Sequence, residues 1–275
     1  MRKDKQKRGK SRVLESFAQF AGDKQFATTL GRGLEILRCF TPDGTTLGNK
    51  DLAERTGLPK PTVSRLTYTL SQLGYLKADH VSSKYRLGPG VLAIGYPLLA
   101  SLTMRQIARP AMQTLADYAG GTVSMGVRDR INIVYVETSR GSSTLAQQLL
   151  QLSDIGRSHP IAATAMGRAY LAACTPADRD AIMNEIRVYT PQIWERHKDK
   201  VRQGLSDYER YGFCMSWGDL RREFNAVAVP LRPFGGDEVV VFNCVLQSFA
   251  MKPARIRADI GPRLAAMVRG LTGRT

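Results

Sequence analysis

The stretch LGNKDLAERTGLPKPTVSRLTYTLSQLGYLKADHVSSKYRL, residues 47–87, reads as two helices joined by a tight turn and followed by a short β-hairpin. In residues 49–56, apolar Leu52 and Ala53 lie on one side, with Lys50, Asp51, Glu54 and Arg55 on the other. Gly57 stands where a helix stops and the chain turns into the left-handed region at little cost. Leu58 points back into a small core. Pro59 restarts the chain, and Pro61 is tolerated because first-turn N–H groups lack helical partners. This pattern is that of a winged helix-turn-helix, which seats its second helix in the major groove of DNA.

The second helix is expected over residues 60–73. Val63, Leu66, Leu70 and Leu73 recur at spacings of three and four, giving one buried stripe. Lys60, Thr62, Ser64, Arg65 and Tyr68 occupy the opposite face and the first turn, as candidate DNA contacts. No acidic residue occurs from 59 to 78, and a carboxylate there would repel phosphates. An ordinary amphipathic surface hairpin is the alternative, but such a helix usually carries Glu or Asp. Arg65 suits a bidentate pair with guanine, worth about 1–3 kcal/mol of discrimination. Residues 75–77 and 84–87 alternate as half-buried strands do, around a polar tip at 78–83. Ser83 and Lys84, with Lys77 and Arg86, would meet phosphate or minor groove. His80 reads as an exposed loop residue, since nothing near it completes a metal set.

The charge balance agrees. The 275-residue chain carries a net charge of +16. Residues 1–88 hold 17 Lys/Arg against 8 Asp/Glu, so more than half of the excess falls on the smaller third. A basic surface implies a polyanion partner without saying which. No apolar run reaches the ~18 residues of a membrane helix, and the polar N-terminus lacks the apolar segment of a secretory signal. No membrane partner and a cytoplasmic location are therefore expected. Cys39, Cys174, Cys214 and Cys244 are widely spread, which argues against a zinc site or disulfide framework. Buried free thiols are the simpler reading, and no cofactor or metal is expected.

Along the chain, residues 1–12 hold seven Lys/Arg and one Asp, a basic arm that either adds phosphate contacts or solubilises. Residues 13–26 mix aromatics and charge, as in a short helix. Residues 30–40 are the first helix of the DNA-binding unit, with Leu30, Leu34, Leu37, Ile36 and Phe40 set against the 63–73 stripe. Residues 41–44 form a turn. Residues 91–102 are almost uncharged, and Pro97 should end or kink that helix. It either pairs two copies of the chain or packs on its own domain. A helix over 107–118 follows, then a hairpin of 122–127 with 131–137. Helices are expected at 161–173, 176–186, 199–211 and 262–271. Strands at 226–231 and 239–246 flank a turn at Gly235, Gly236 and Asp237. Strands interleaved with helices make an α+β domain around an antiparallel sheet.

The chain resembles the IclR family of bacterial transcriptional regulators from residue 30 to about 270. The resemblance rests on LGRGLEIL, DLAERTGLPKPTVSRLTYTLSQLGYL, KYRLGPGVLAIG, HPIAATAMGRAYLA, YERYGF and AVAVPL, in order and at family-like spacing. It implies an arm over 1–25 and a winged helix-turn-helix over 26–88. A linker helix over 89–103 and a GAF-like effector-binding, oligomerisation domain over 104–275 follow. It also implies homodimers or tetramers on palindromic operators, with RNA polymerase a further candidate partner.

The family's pocket carries over to amides of Ala165 and Met166 at a helix start, suited to a carboxylate. It also carries over to Ser216, Ala226, Asn243 and Val245. Relatives that bind small oxo-acids place Asp, Cys and serines at those last positions, so a larger, less polar effector is implied, such as an aromatic acid. Core filling is the alternative for Ala226 and Val245. The expected function is therefore a ligand-responsive, sequence-specific DNA-binding regulator of catabolic genes. A nonspecific nucleic-acid binder is one rival. An enzyme is the other, but His80, His159 and His197 stand apart and no nucleophile motif or phosphate loop occurs.

Overall fold

The computed structural model describes residues 17, 20, 22–42, 45–79, 81–142, 154–232 and 238–272. The basic arm over 1–12, half of 13–26, half of the 41–44 turn, His80 and the turn at 235–237 lie outside the described residues. The chain divides into two units, residues 1–101 and 102–275.

In the first unit, α1 (Thr28–Arg38), α2 (Asn49–Thr56) and α3 (Lys60–Gln72) surround a core that includes Ile36, Leu52, Val63 and Leu76. Each such side chain, fully withdrawn from water, contributes about 1.5–3 kcal/mol. Gly57 caps α2 at φ +67, where a Cβ would be strained. Gly48 N donates to Asp51 Oδ2 at 2.9 Å and ties the start of α2. β1 (Leu47–Gly48), β2 (Leu76–Asp79) and β3 (Lys84–Leu87) form an antiparallel sheet in the order β1-β3-β2. β1, too short to show alternation, was not expected from the sequence.

Two apolar assignments change. Leu73 is 62% exposed rather than part of the buried stripe, because α3 ends at Gln72 and Gly74 turns the chain away at φ +77. Leu30 and Leu34 are exposed, while Gly33, Ile36 and Phe40 face inward. Gly33 faces Leu66, whose Cδ2 would lie 3.9 Å from an added Cβ, an ordinary contact distance. Of the three leucines of α1, only Leu37 packs against this core. α4 (Pro89–Ser101) runs through Pro97 instead of ending there, and none of its residues is buried.

The second unit is a six-stranded antiparallel sheet in the order β6-β5-β4-β9-β8-β7. Its strands are β4 (Thr122–Asp129), β5 (Asn132–Arg140), β6 (Ser158–Pro160), β7 (Cys214–Trp217), β8 (Phe224–Leu231) and β9 (Val240–Gln247). α5 (Thr103–Ala119) and the last helix cover one face, and α6 (Ala165–Ala173) lies on the other, against β8 and β9. α7 (Pro176–Tyr189) and α8 (Pro191–Tyr211) pack outside α6. Residues 253–255 and a π-helical turn at Ile256–Ile260 lead into α9 (Gly261–Thr272).

The expected α+β class with an antiparallel sheet is what the fold shows. The single helix expected over 161–173 is instead a 3-10 turn, Ile161–Ala163, followed by α6. The break falls at Thr164, whose extended backbone lets its Oγ1 cap α6 by accepting from Gly167 N at 3.1 Å. α8 begins eight residues before the expected 199, at Pro191. Strands β6 and β7 were not expected, being three and four residues long.

Candidate nucleic-acid interface and ligand face

α3 sorts its residues by period. Val63, Leu66, Thr67 and Leu70 are buried, whereas Lys60, Ser64, Arg65 and Tyr68 are exposed and Thr62 is half-buried. Tyr68 is 66% exposed, high for an aromatic that packing does not need. Thr67, polar but buried, satisfies itself by donating to Val63 O at 3.0 Å. All five candidate contacts therefore share the outer side of one helix. In the wing, Ser83 and Lys84 are exposed, and Ser83 holds φ +52 at the tip that reverses β2 into β3. Arg86 and Lys77 pair across the hairpin and are exposed. β2, the first strand of the wing, packs on α3.

The ligand candidates in the second unit are brought together by strand register. Ser216 pairs with Ala226, and Ala226 pairs with Val245. Asn243, two residues before Val245, is on the same face and pairs with Ala228 and Ser124. That face lies beneath α6, whose first turn is Ala165 and Met166, both buried. Helix geometry leaves their amides without intrahelical acceptors, and the positive end of the dipole adds to their pull on an anion. The sheet row beneath is apolar at Ala226 and Val245, with Phe224 also packed against Val245.

Sequence reasoning named Ser216 and Asn243 but missed Tyr135, a further polar group of this face. Tyr135 pairs with Gly126 and so faces α6. Its phenol oxygen accepts from Asn243 Nδ2 at 3.1 Å. Burial pushes the Tyr135 hydroxyl up to about 12, so it stays protonated at neutral pH. Asn243 Oδ1 is buried with no hydrogen-bond partner among the described residues. The alternation of 131–137 would have pointed Tyr135 inward; its partner on β9, more than a hundred residues on, was not readable.

Ser216 is less free than its position implied. Its hydroxyl donates to Asp219 Oδ2 at 3.0 Å. Asp219 is buried and paired with Arg168 at 2.8 Å and with Lys200. Burial raises the Asp219 carboxyl, but Arg168 and Lys200 outweigh that and hold it below the usual carboxylate range. Arg168 also donates to Met215 O at 2.9 Å and Ala162 O at 3.4 Å. One guanidinium thus joins α6, β7 and the turn before α6. His197 of α8 lies beside this group, and burial, then Arg168, lower its pKa.

Among the described residues no cluster of three or more His, Cys, Asp or Glu could hold a metal. No single helix there is long and apolar enough to cross a membrane. Cys174, Cys214 and Cys244 are free and buried, while Cys39 is free and half-buried.

Comparison with known proteins gives two family matches. The IclR helix-turn-helix domain matches residues 29–80, and the bacterial transcriptional regulator IclR C-terminal domain matches residues 97–270. The HTH-type transcriptional regulator TsaQ1/TsaQ2 of Comamonas testosteroni is 39% identical over 243 residues, covering 88% of this chain and 86% of that protein. An IclR family transcriptional regulator from Brucella abortus superposes with a TM-score of 0.82 at 45% identity, covering 92% and 94% of the two chains. An IclR homolog from Microbacterium hydrocarbonoxydans, solved with 4-hydroxybenzoate, shares the fold. It has a TM-score of 0.65 at 19% identity, with 90% and 100% covered.

Proposed function

This chain belongs to the IclR family of bacterial transcriptional regulators and is a DNA-binding regulator with an effector-binding domain; from that premise we propose which residues read DNA and which ligand it answers to. Thr62, Ser64, Arg65 and Tyr68 contact base edges, and Lys60, Ser83 and Lys84 hold phosphates. The exposure of these polar side chains on α3 and the wing, Thr62 alone being half-buried, opposite a buried apolar stripe, supports that assignment. The operator is palindromic and is bound by a homodimer or tetramer. α4 supports the pairing, since Leu92, Ile94, Tyr96 and Leu98 are all more than half exposed. RNA polymerase is a candidate partner at the promoter, and the site of action is the cytoplasm.

The effector in this proposal is an aromatic carboxylate. Its carboxylate meets the amides of Ala165 and Met166, and its ring lies over Ala226 and Val245. A ring hydroxyl donates to Asn243 Oδ1 beside Tyr135. The observation that carries this is the buried Asn243 oxygen, which has no hydrogen-bond partner among the described residues and lies near the apolar Ala226 and Val245. An unmet buried acceptor costs about 1–3 kcal/mol, which a donor on the ligand recovers. The homolog solved with 4-hydroxybenzoate is consistent with such a ligand. The genes controlled are then those for catabolism of such acids.

A thermal-shift comparison of 4-hydroxybenzoate, benzoate and pyruvate on the full chain tests the reading. 4-Hydroxybenzoate should stabilise the second unit most and pyruvate least. Equal shifts for all three, or none, refute the aromatic assignment.

A further inference from the structure

A regulator of this design needs a route from the ligand face to α5, the element that follows α4 in the chain. Strand β5 is irregular at the place where such a route would run. Met125 pairs with Glu137, while the next residue, Gly126, pairs with Tyr135. Val136 is therefore an extra residue, a β-bulge. In a regular strand, residues two apart share a face. The bulge cancels that rule, so Tyr135 faces α6 while Glu137, in register with Met125, faces α5.

Both side chains are anchored. Tyr135 is bonded to Asn243 on the ligand face. Glu137 Oε2 accepts from Arg105 Nη2 at 3.1 Å, and Oε1 accepts from Thr138 N at 3.0 Å. The Glu137 side chain is 5% exposed and that of Arg105 19%, so this pair is screened less than a surface one. Arg105 lies in the first turn of α5, its own amide bonded to Leu102 O at 3.0 Å. Thr138 Oγ1 donates to Ser124 Oγ at 3.0 Å, back on the ligand face. Three successive residues beyond Tyr135 thus connect the ligand side of the sheet to the root of α5.

We infer that the Val136 bulge is a lever: a ligand that engages Tyr135 or Asn243 resets β5 at the bulge, and Glu137 passes the change to α5 through Arg105. The inference rests on the ligand reading given above, but its first test does not. A ligand moves an equilibrium only through what it binds differently in the two states. The lever names that contact, and Arg105 is a positioning residue that touches no ligand.

Hydrogen–deuterium exchange on the full chain without ligand is the first test. Tyr135→Phe should raise exchange over residues 103–108 by about fivefold or more, the lower end of ordinary site-to-site coupling. In an Arg105→Gln background the same Tyr135→Phe change should leave those amides unmoved. Independent effects of the two substitutions would overturn the lever, since uncoupled sites add.

The second test uses 4-hydroxybenzoate as probe. Arg105→Gln should bind it as the unsubstituted chain does, yet lose its effect on operator affinity, and Arg105→Lys should restore part of that effect. An Arg105→Gln chain that still responds fully overturns the lever. A probe that binds neither chain counts against the ligand reading alone, and the exchange result then decides the lever.

Discussion

Replacing Arg168 by methionine removes the centre of the buried ion cluster while keeping an unbranched stem in place of the arginine's aliphatic part. Arg168 is 2% exposed and holds Asp219 at 2.8 Å together with two backbone carbonyls. Breaking a buried pair by deleting one partner costs about 3–5 kcal/mol, because the other charge is left in a low-dielectric site. Here Asp219 keeps Lys200 and the Ser216 hydroxyl, so the lower end, about 3 kcal/mol, is expected. Lys200 is 50% exposed. Solvent screens its pairing, and Lys200→Met should cost about 1 kcal/mol or less. For a unit the size of residues 102–275, about 3 kcal/mol lowers the melting temperature by roughly 6–12 °C. Two-probe thermal unfolding of the full chain reads this, with the second unit's transition moving and the first unit's fixed. Equal losses for Arg168→Met and Lys200→Met, or a loss below about 1 kcal/mol for the former, would refute the assignment of Arg168 as the strut joining α6 to β7.

Three further outcomes are expected. Arg65→Ala should lose about 1–3 kcal/mol of discrimination at one operator position, whereas Lys84→Ala should weaken all sequences alike and reduce the salt slope by about one; footprinting titrations at several salt concentrations separate the two, and an unchanged Arg65→Ala footprint excludes the recognition role. Ile36→Ala should cost the first unit about 2–5 kcal/mol while Leu34→Ala, exposed on the same helix, costs near nothing; urea unfolding that gives equal costs would contradict the inward face assigned to α1. His197 carries a pKa lowered from 6.5, so the unfolded chain takes up the proton first and the second unit loses stability as pH falls below 6.5. Above that value the contribution is fully present, and His197→Gln should flatten the dependence of the urea midpoint between pH 7.5 and 5.5.

What was legible in the sequence was local. The 3.6-residue period and the Gly57 stop give α2 and α3 their bounds to within a residue, because helix partners sit three and four residues apart. The absence of carboxylates from 59 to 78 marks the outer face of α3 before any coordinates exist. Leu30, Leu34 and Leu73 show the boundary of this logic. Period alone offers α1 two apolar sides, and only its packing against α2 and α3 selects Ile36 and Phe40 for the core.

The ligand face was decided by tertiary structure. Ser216, Ala226 and Val245 could be named one at a time, but the row they form exists only once β7, β8 and β9 pair in register. Asn243 meets Tyr135 across 108 residues of chain, and Arg168 meets Asp219 across α7, α8 and β7. The Val136 bulge leaves no trace in composition, since one added residue is visible only as a mismatch with the partner strand. Local spacing fixes what a residue can do within its own helix or strand. Which polar groups are stripped of water together depends on loop closure between distant strands, and no short window of sequence contains that information.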